Sequence, residues 1–273
     1  MSLETKSLAG WLAFLQGADI PVLGRTAAEL ERLRVSDTLL TARNVANVVT
    51  DDPLMTIKLL RFLQTHKHRA QQHELIDVKQ ALLMLGLEAF LRDLPAAPVA
   101  EELVGSYDGV PFRVLHTAGR ARRAAAYAFD WALRLHDLHP EEVQTSALLA
   151  HASEMLMWCF DPQGMLDVRQ LQRGDPTLRS SEAQRRVLGF PLVALQHELA
   201  LQWHLPQLLV TLMDPAQARN TRVRNVMLAV NLARHSADGW HDAALPDDFL
   251  QIGELLHMDV HRVVALVTAE NTA

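Results

Sequence analysis

Cysteine is almost missing from this chain. Cys159 stands alone among 273 residues, so no intramolecular disulfide can form and no thiolate zinc ribbon or finger can be built. It sits in an apolar stretch, where a small buried hydrophobe is the simpler reading than a reactive thiol. Aromatics reach only 5%, and alternating runs of β-branched residues are lacking. With Leu and Ala dominant instead, the balance favours helix over sheet. No apolar run approaches the roughly 20 residues that span a bilayer. The opening MSLETKSLAGWLAFLQ carries Glu4 and only a short apolar stretch, unlike a signal peptide. These absences together lead us to expect a soluble cytoplasmic protein with no membrane association. Basic charge is also short: 26 Lys and Arg against 32 Asp and Glu leave a formal net charge of −6. Nonspecific nucleic-acid binding needs a basic surface to displace counterions, so nucleic acid is disfavoured as a partner unless a local basic patch supplies one.

What remains is a series of capped amphipathic segments, which predicts an all-α, multi-helical fold. Trp11, Leu12, Phe14 and Leu15 make a short amphipathic opening. An extended lead-in follows, because Pro21 pushes Ile20 away from the α region. Helices are expected from Thr26 or Ala27, and again after Ser36-Asp37, where Val45, Val48 and Val49 lie one turn apart. Asp51-Asp52-Pro53 is the clearest start: a capping carboxylate, then proline at the first helical position. Asp77 can cap a further helix that Gly86 ends in a left-handed conformation. Between these two helices, His66, His68 and His73 invite a metal reading. The stretch from Gln64 to His73 is polar, carries Lys67 and Arg69 and lacks any carboxylate or cysteine, so an exposed loop or helix end is expected.

Pro95-Ala96-Ala97-Pro98 and the Gly105–Pro111 stretch are breaks. They suggest two packed subdomains, residues 1–104 and 105–273. A long helix is expected from Phe112 to about Leu135, its spaced alanines allowing close helix approach and Arg120, Arg122, Arg123 and Arg134 on its solvated side. A central helix is then expected from Glu141 to Phe160, opened by Pro140 and two acids and stopped by Asp161-Pro162. Leu148, Leu149, Leu156 and Trp158 should be buried in it. Further helices follow from Ser181 to near Gly189 and from about Thr221 to Ala237. His257 and His261 have the i,i+4 spacing of a zinc pair, but Asp259 reads as a cap that puts them on separate elements. His136, His139 and His235 read as surface or interface residues.

Several of these stretches resemble one family. Asp52-Pro53-Leu54-Met55-Thr56-Ile57-Lys58-Leu59-Leu60-Arg61 is similar to the Asp-Pro-x-Leu-x-x-Lys-Leu-Leu-Arg helix of the HDOD family. Ile76-x-Val78-x-x-Ala81-Leu82-x-x-Leu85-Gly86 matches the next helix in order and spacing. Gly189-Phe190-Pro191-Leu192, running on to Trp203-His204-Leu205-Pro206, resembles the family's Gly-x-x-His-x-x-Val-Gly segment with its Trp-x-Leu-Pro ending. Ala147 to Leu156 resembles the Gly-Leu-Leu-His-Asp-Ile-Gly-Lys-Leu run of HD-type metal phosphohydrolases, of which HDOD proteins are largely non-catalytic relatives. The resemblance covers roughly residues 20 to 215 and implies an N-terminal helical bundle packed on a degenerate HD-like subdomain.

Carried over residue by residue, the resemblance puts Ala150 where the family has its metal-binding His, His151 where it has Asp, and Leu192 where it has another His. His116, in His116-Thr117, falls on an early family His. An alanine methyl has no electron pair to give a metal, so at least one ligand of the HD site is gone. The expectation is therefore a regulatory, non-enzymatic module without metal or cofactor, acting through a protein partner or small ligand. His116, His151 and Glu154 would form its vestigial pocket. Glu154, three residues beyond His151, can share its helix face, which keeps a degenerate phosphohydrolase of nucleotides or second messengers as the alternative. A nucleotide-binding sensor without turnover stands third.

Overall fold

The computed structural model describes residues 7–36, 40–65, 77–94, 97–175 and 177–269. Among these the fold is all-α, with one isolated parallel bridge between Val22 and Val99 and no strand. The helices are α1 (Leu8–Gly17), α2 (Gly24–Arg34), α3 (Ala42–Thr50), α4 (Pro53–Thr65), α5 (Val78–Leu85), α6 (Leu87–Asp93) and α7 (Ala100–Leu103). The long α8 (Val110–Arg134) precedes α9 (Pro140–Leu149), α10 (Ala152–Phe160), α11 (Pro162–Gly174), α12 (Ser180–Leu188) and α13 (Leu192–Gln202). Then come α14 (Gln207–Leu212), a 3-10 turn over Pro215–Gln217, α15 (Thr221–His235), α16 (Leu245–Leu256) and α17 (Val260–Ala269).

The chain forms two compact units, and it enters each more than once. One comprises residues 1–118 and 151–207, the other 119–150 and 208–273. This division does not follow the 104/105 boundary suggested by the proline- and glycine-rich breaks. Chain punctuation marks turns, whereas a compact unit is defined by which faces bury each other.

In the first unit, α2 to α6 enclose a core that includes Leu30, Leu33, Val45, Val49, Met55, Leu59, Leu82 and Phe90. Its α10 packs on α4, α11 and α13, and α1 packs on α13. One carboxylate ties two starts together. Asp52 Oδ1 accepts the N–H groups of Leu54 and Met55 (2.8 and 3.2 Å), capping α4, while Oδ2 accepts that of Leu23 (2.8 Å) just before α2. Glu101 takes the next donor, the N–H of Gly24, at 3.1 and 2.9 Å. These two distant acids supply what α2 lacks locally, since no side chain of its own caps it. Lys58 and Arg61 of α4 do the reverse for α1. Lys58 reaches Asp19 and the Ile20 carbonyl; Arg61 donates to the carbonyls of Leu15 and Ala18 and lies over the Trp203 ring. The polar residues of the Asp-Pro…Lys-Leu-Leu-Arg stretch thus work as helix-end partners.

In the second unit, Tyr127, Ala128 and Trp131 of α8 share a core with Val143 and Ala147 of α9 and with α15, α16 and α17. Arg222 joins Asp137 and Glu142 at 2.8 and 2.7 Å, and Asn225 donates to the Ala128 carbonyl from a buried position. His235, read from sequence as surface or interface, is partly buried, its Nδ1 2.5 Å from Asp248 Oδ2.

Other local expectations fare unevenly. The cap at Asp77 forms, and Gly86 takes a positive φ of 80°, though its ψ of 139° lies outside the left-handed helical region and it leads straight into α6. The helix expected after Ser36-Asp37 begins only at Ala42, capped by Thr41, whose hydroxyl accepts the Asn44 N–H. Asp259 caps α17 and His257 ends α16 in the left-handed region, so His257 and His261 sit on different elements as expected. His66, His68 and His73, together with Asp37, Ile76, Pro95, Ala96 and Pro176, lie outside the described residues.

Candidate functional site

The central helix expected over 141–160 is broken in the middle. Ala150 (φ −58°, ψ −18°) and His151 (φ −100°, ψ 3°) close α9 and open α10, at the two positions where the HD resemblance places a metal-binding His and Asp. Two causes are visible. Thr145 and Ser146 return their hydroxyls to the carbonyls of Glu141 and Glu142 (2.8 and 2.7 Å), which favours bending. In addition, the Ser153 N–H, which an unbroken helix would direct to the carbonyl of Leu149, donates to Gln196 Oε1 at 2.8 Å. Gln196 belongs to α13 and is buried. A side chain from another helix therefore supplies one of the acceptors that a helix start needs.

His151 occupies the N-cap of α10, 4% exposed, and its side chain makes no capping bond. Glu154 follows in the first turn, half-buried, where an acid suits the helix dipole. The rest of α10 is covered nearly all round: Met155, Leu156, Met157, Trp158 and Cys159 are buried, as are Leu148 and Leu149 before the break. His116 lies on α8, half-buried, its ring stacked against Phe112 one turn earlier at a centroid distance of 5.8 Å. Among the described residues no three His, Cys, Asp or Glu side chains converge as a metal-holding group, so His116, His151 and Glu154 are not gathered into one. Leu192 is buried at the start of α13, its N–H donating to Gln184 Oε1 at 2.9 Å.

Burial governs the chemistry of the neighbouring groups. The Cys159 thiol is pushed up to about 12, first by burial and then by the nearby charges of Asp52 and Glu101. It is thus a protonated, inert side chain at neutral pH. Burial also holds the Asp52 carboxyl above its ordinary range, opposed by the donors from Leu23, Thr26, Met55 and Leu54.

Gln196 was not singled out in the sequence, although a signal for it exists. Leu192, Leu195, Leu199 and Ala200 form the buried face of α13, and Gln196 interrupts that apolar set. A polar residue at such a position requires a buried partner. In the Gly-x-x-His-x-x-Val-Gly pattern it also falls on the second glycine, one turn beyond Leu192, where the resemblance places a histidine.

Comparison with known proteins agrees with this architecture. The chain is similar in fold to the MmoQ response regulator of Methylococcus capsulatus, with TM-score 0.67 and 19% identity over 90% of this chain and 98% of that one. A virulence factor from Campylobacter jejuni gives TM-score 0.67 and 18% identity over 91% and 89% of the two chains. An HDOD domain protein of unknown function from Geobacter sulfurreducens gives 0.52 and 18%, over 98% and 95%. No curated protein matches significantly. The HDOD domain model itself matches residues 20–218, which include α2 to α13 and the break between α9 and α10. The chain belongs to the HDOD domain family.

Proposed function

We propose that this chain is a regulatory module that works by binding, a protein partner or a small ligand, and catalyses no reaction of its own. The observation that carries the reading is the α9–α10 junction. The residue at the HD metal-ligand position is Ala150, which has no donor atom, and the helix start beside it is satisfied by the Gln196 amide. The fold-level likeness to a protein described as a response regulator is in keeping with a signalling role, as analogy only. No helix among the described residues is long and apolar enough to cross a membrane, which suits the cytoplasmic location we propose.

A second reading has one observation in its favour. His151 and Glu154 lie within one turn of α10, and His116 is retained, so parts of an HD-type ligand set remain. On this reading the chain is a degenerate metal-dependent phosphohydrolase of nucleotides or second messengers. The purified protein, assayed against a panel of nucleotides and cyclic dinucleotides with added manganese, magnesium or zinc, separates the two. The regulatory reading expects no turnover above buffer with any metal. Hydrolysis that disappears in His151→Ala and Glu154→Gln would establish the second reading.

A further inference from the structure

We draw no further inference here: the strongest candidate, the open, mostly apolar groove between α1 and α13 lined by Ala9, Leu12, Ala13, Glu198, Leu201 and Gln202, is an unpartnered surface patch, and nothing in the structure shows what covers it.

Discussion

Gln196 and Ser153 are 43 residues apart in the chain, yet the side-chain oxygen of one lies 2.8 Å from the backbone nitrogen of the other. The bond is buried, and it marks the point where the predicted central helix becomes two. Replacing Gln196 by Leu keeps a similar volume but removes the acceptor. A buried N–H left without one costs about 1–3 kcal/mol. We expect Gln196→Leu to lower the urea midpoint by a corresponding amount, while His197→Ala, on the exposed side of the same helix, leaves it within about 0.5 kcal/mol. Equal effects from the two variants would show that the bond does not hold the junction.

Much of this architecture could be read from the chain because its determinants are local. Asp52 before Pro53, Asp77 before Val78 and Asp259 before Val260 cap helices within their own turn, and each cap forms. The apolar stripe holding Leu148, Leu149, Leu156 and Trp158 is equally local and is buried. What escaped depends on distant partners. Local periodicity gives a single helix from Glu141 to Phe160, and only Gln196, from another helix, discloses the break. The same holds for Asp52, whose second oxygen reaches Leu23, and for Glu101, which takes up Gly24. The candidate site follows this rule. Position 150 can be compared with the family pattern from the sequence alone, but the group that satisfies the helix start beside it lies on a distant stretch of sequence.

Asp52 provides a pH-dependent test. Burial raises its carboxyl above the unfolded value, so in the folded protein the proton is held more tightly than in the unfolded chain. A group with a raised folded pKa contributes stability that is fully present below its unfolded pKa, near 4, and is lost as pH rises through the folded value. Asp52→Asn keeps an acceptor for the α4 cap and cannot ionise. Relative to the parent, this variant should gain stability as pH rises from about 4 upward, measured as the difference in urea midpoints. Asp52→Ala should lose about 2–4 kcal/mol throughout, since the Leu23, Leu54 and Met55 N–H groups all lose their acceptor. A constant difference between parent and Asp52→Asn across that range would refute the burial argument.

Cys159 offers a direct probe of packing. The residue is 4% exposed, and burial pushes its thiol up to about 12. A disulfide reagent such as DTNB at pH 8 should leave the folded protein unmodified and label one thiol per chain once urea unfolds it. Rapid labelling of the native protein would place the α10 helix at the surface and contradict its burial.

Three helices close on a histidine in the left-handed region: His136 after α8 (φ 56°), His204 after α13 (φ 52°) and His257 after α16 (φ 54°). At each, the following residue donates back to a carbonyl five residues earlier, as in Leu205 N–H to the Ala200 carbonyl at 2.9 Å. A side chain in this conformation is strained, and glycine relieves the strain. His204 is exposed, so the substitution loses little packing. His204→Gly should stabilise the protein by about 0.5–1 kcal/mol and raise Tm. A fall in Tm would mean that the imidazole makes a contribution larger than the backbone strain.

The proposed vestigial site makes the most consequential prediction. With alanine at position 150, a divalent ion would have to draw on His116, His151 and Glu154, and these do not converge as a ligand group. Both imidazoles are engaged in packing instead: His151 is buried and the His116 ring is stacked on Phe112. We therefore expect protein dialysed against a weak chelator to retain no stoichiometric zinc, manganese or iron by elemental analysis. His116→Ala should leave the metal content unchanged. Its cost should appear in stability, through the lost ring contact with Phe112. Adding manganese or zinc back should produce no saturable rise in Tm, because a ligand bound only by the folded state must raise it. A stoichiometric metal that survives dialysis and disappears in His116→Ala would overturn the binding-only reading. The hydrolase would then become the better account of this chain.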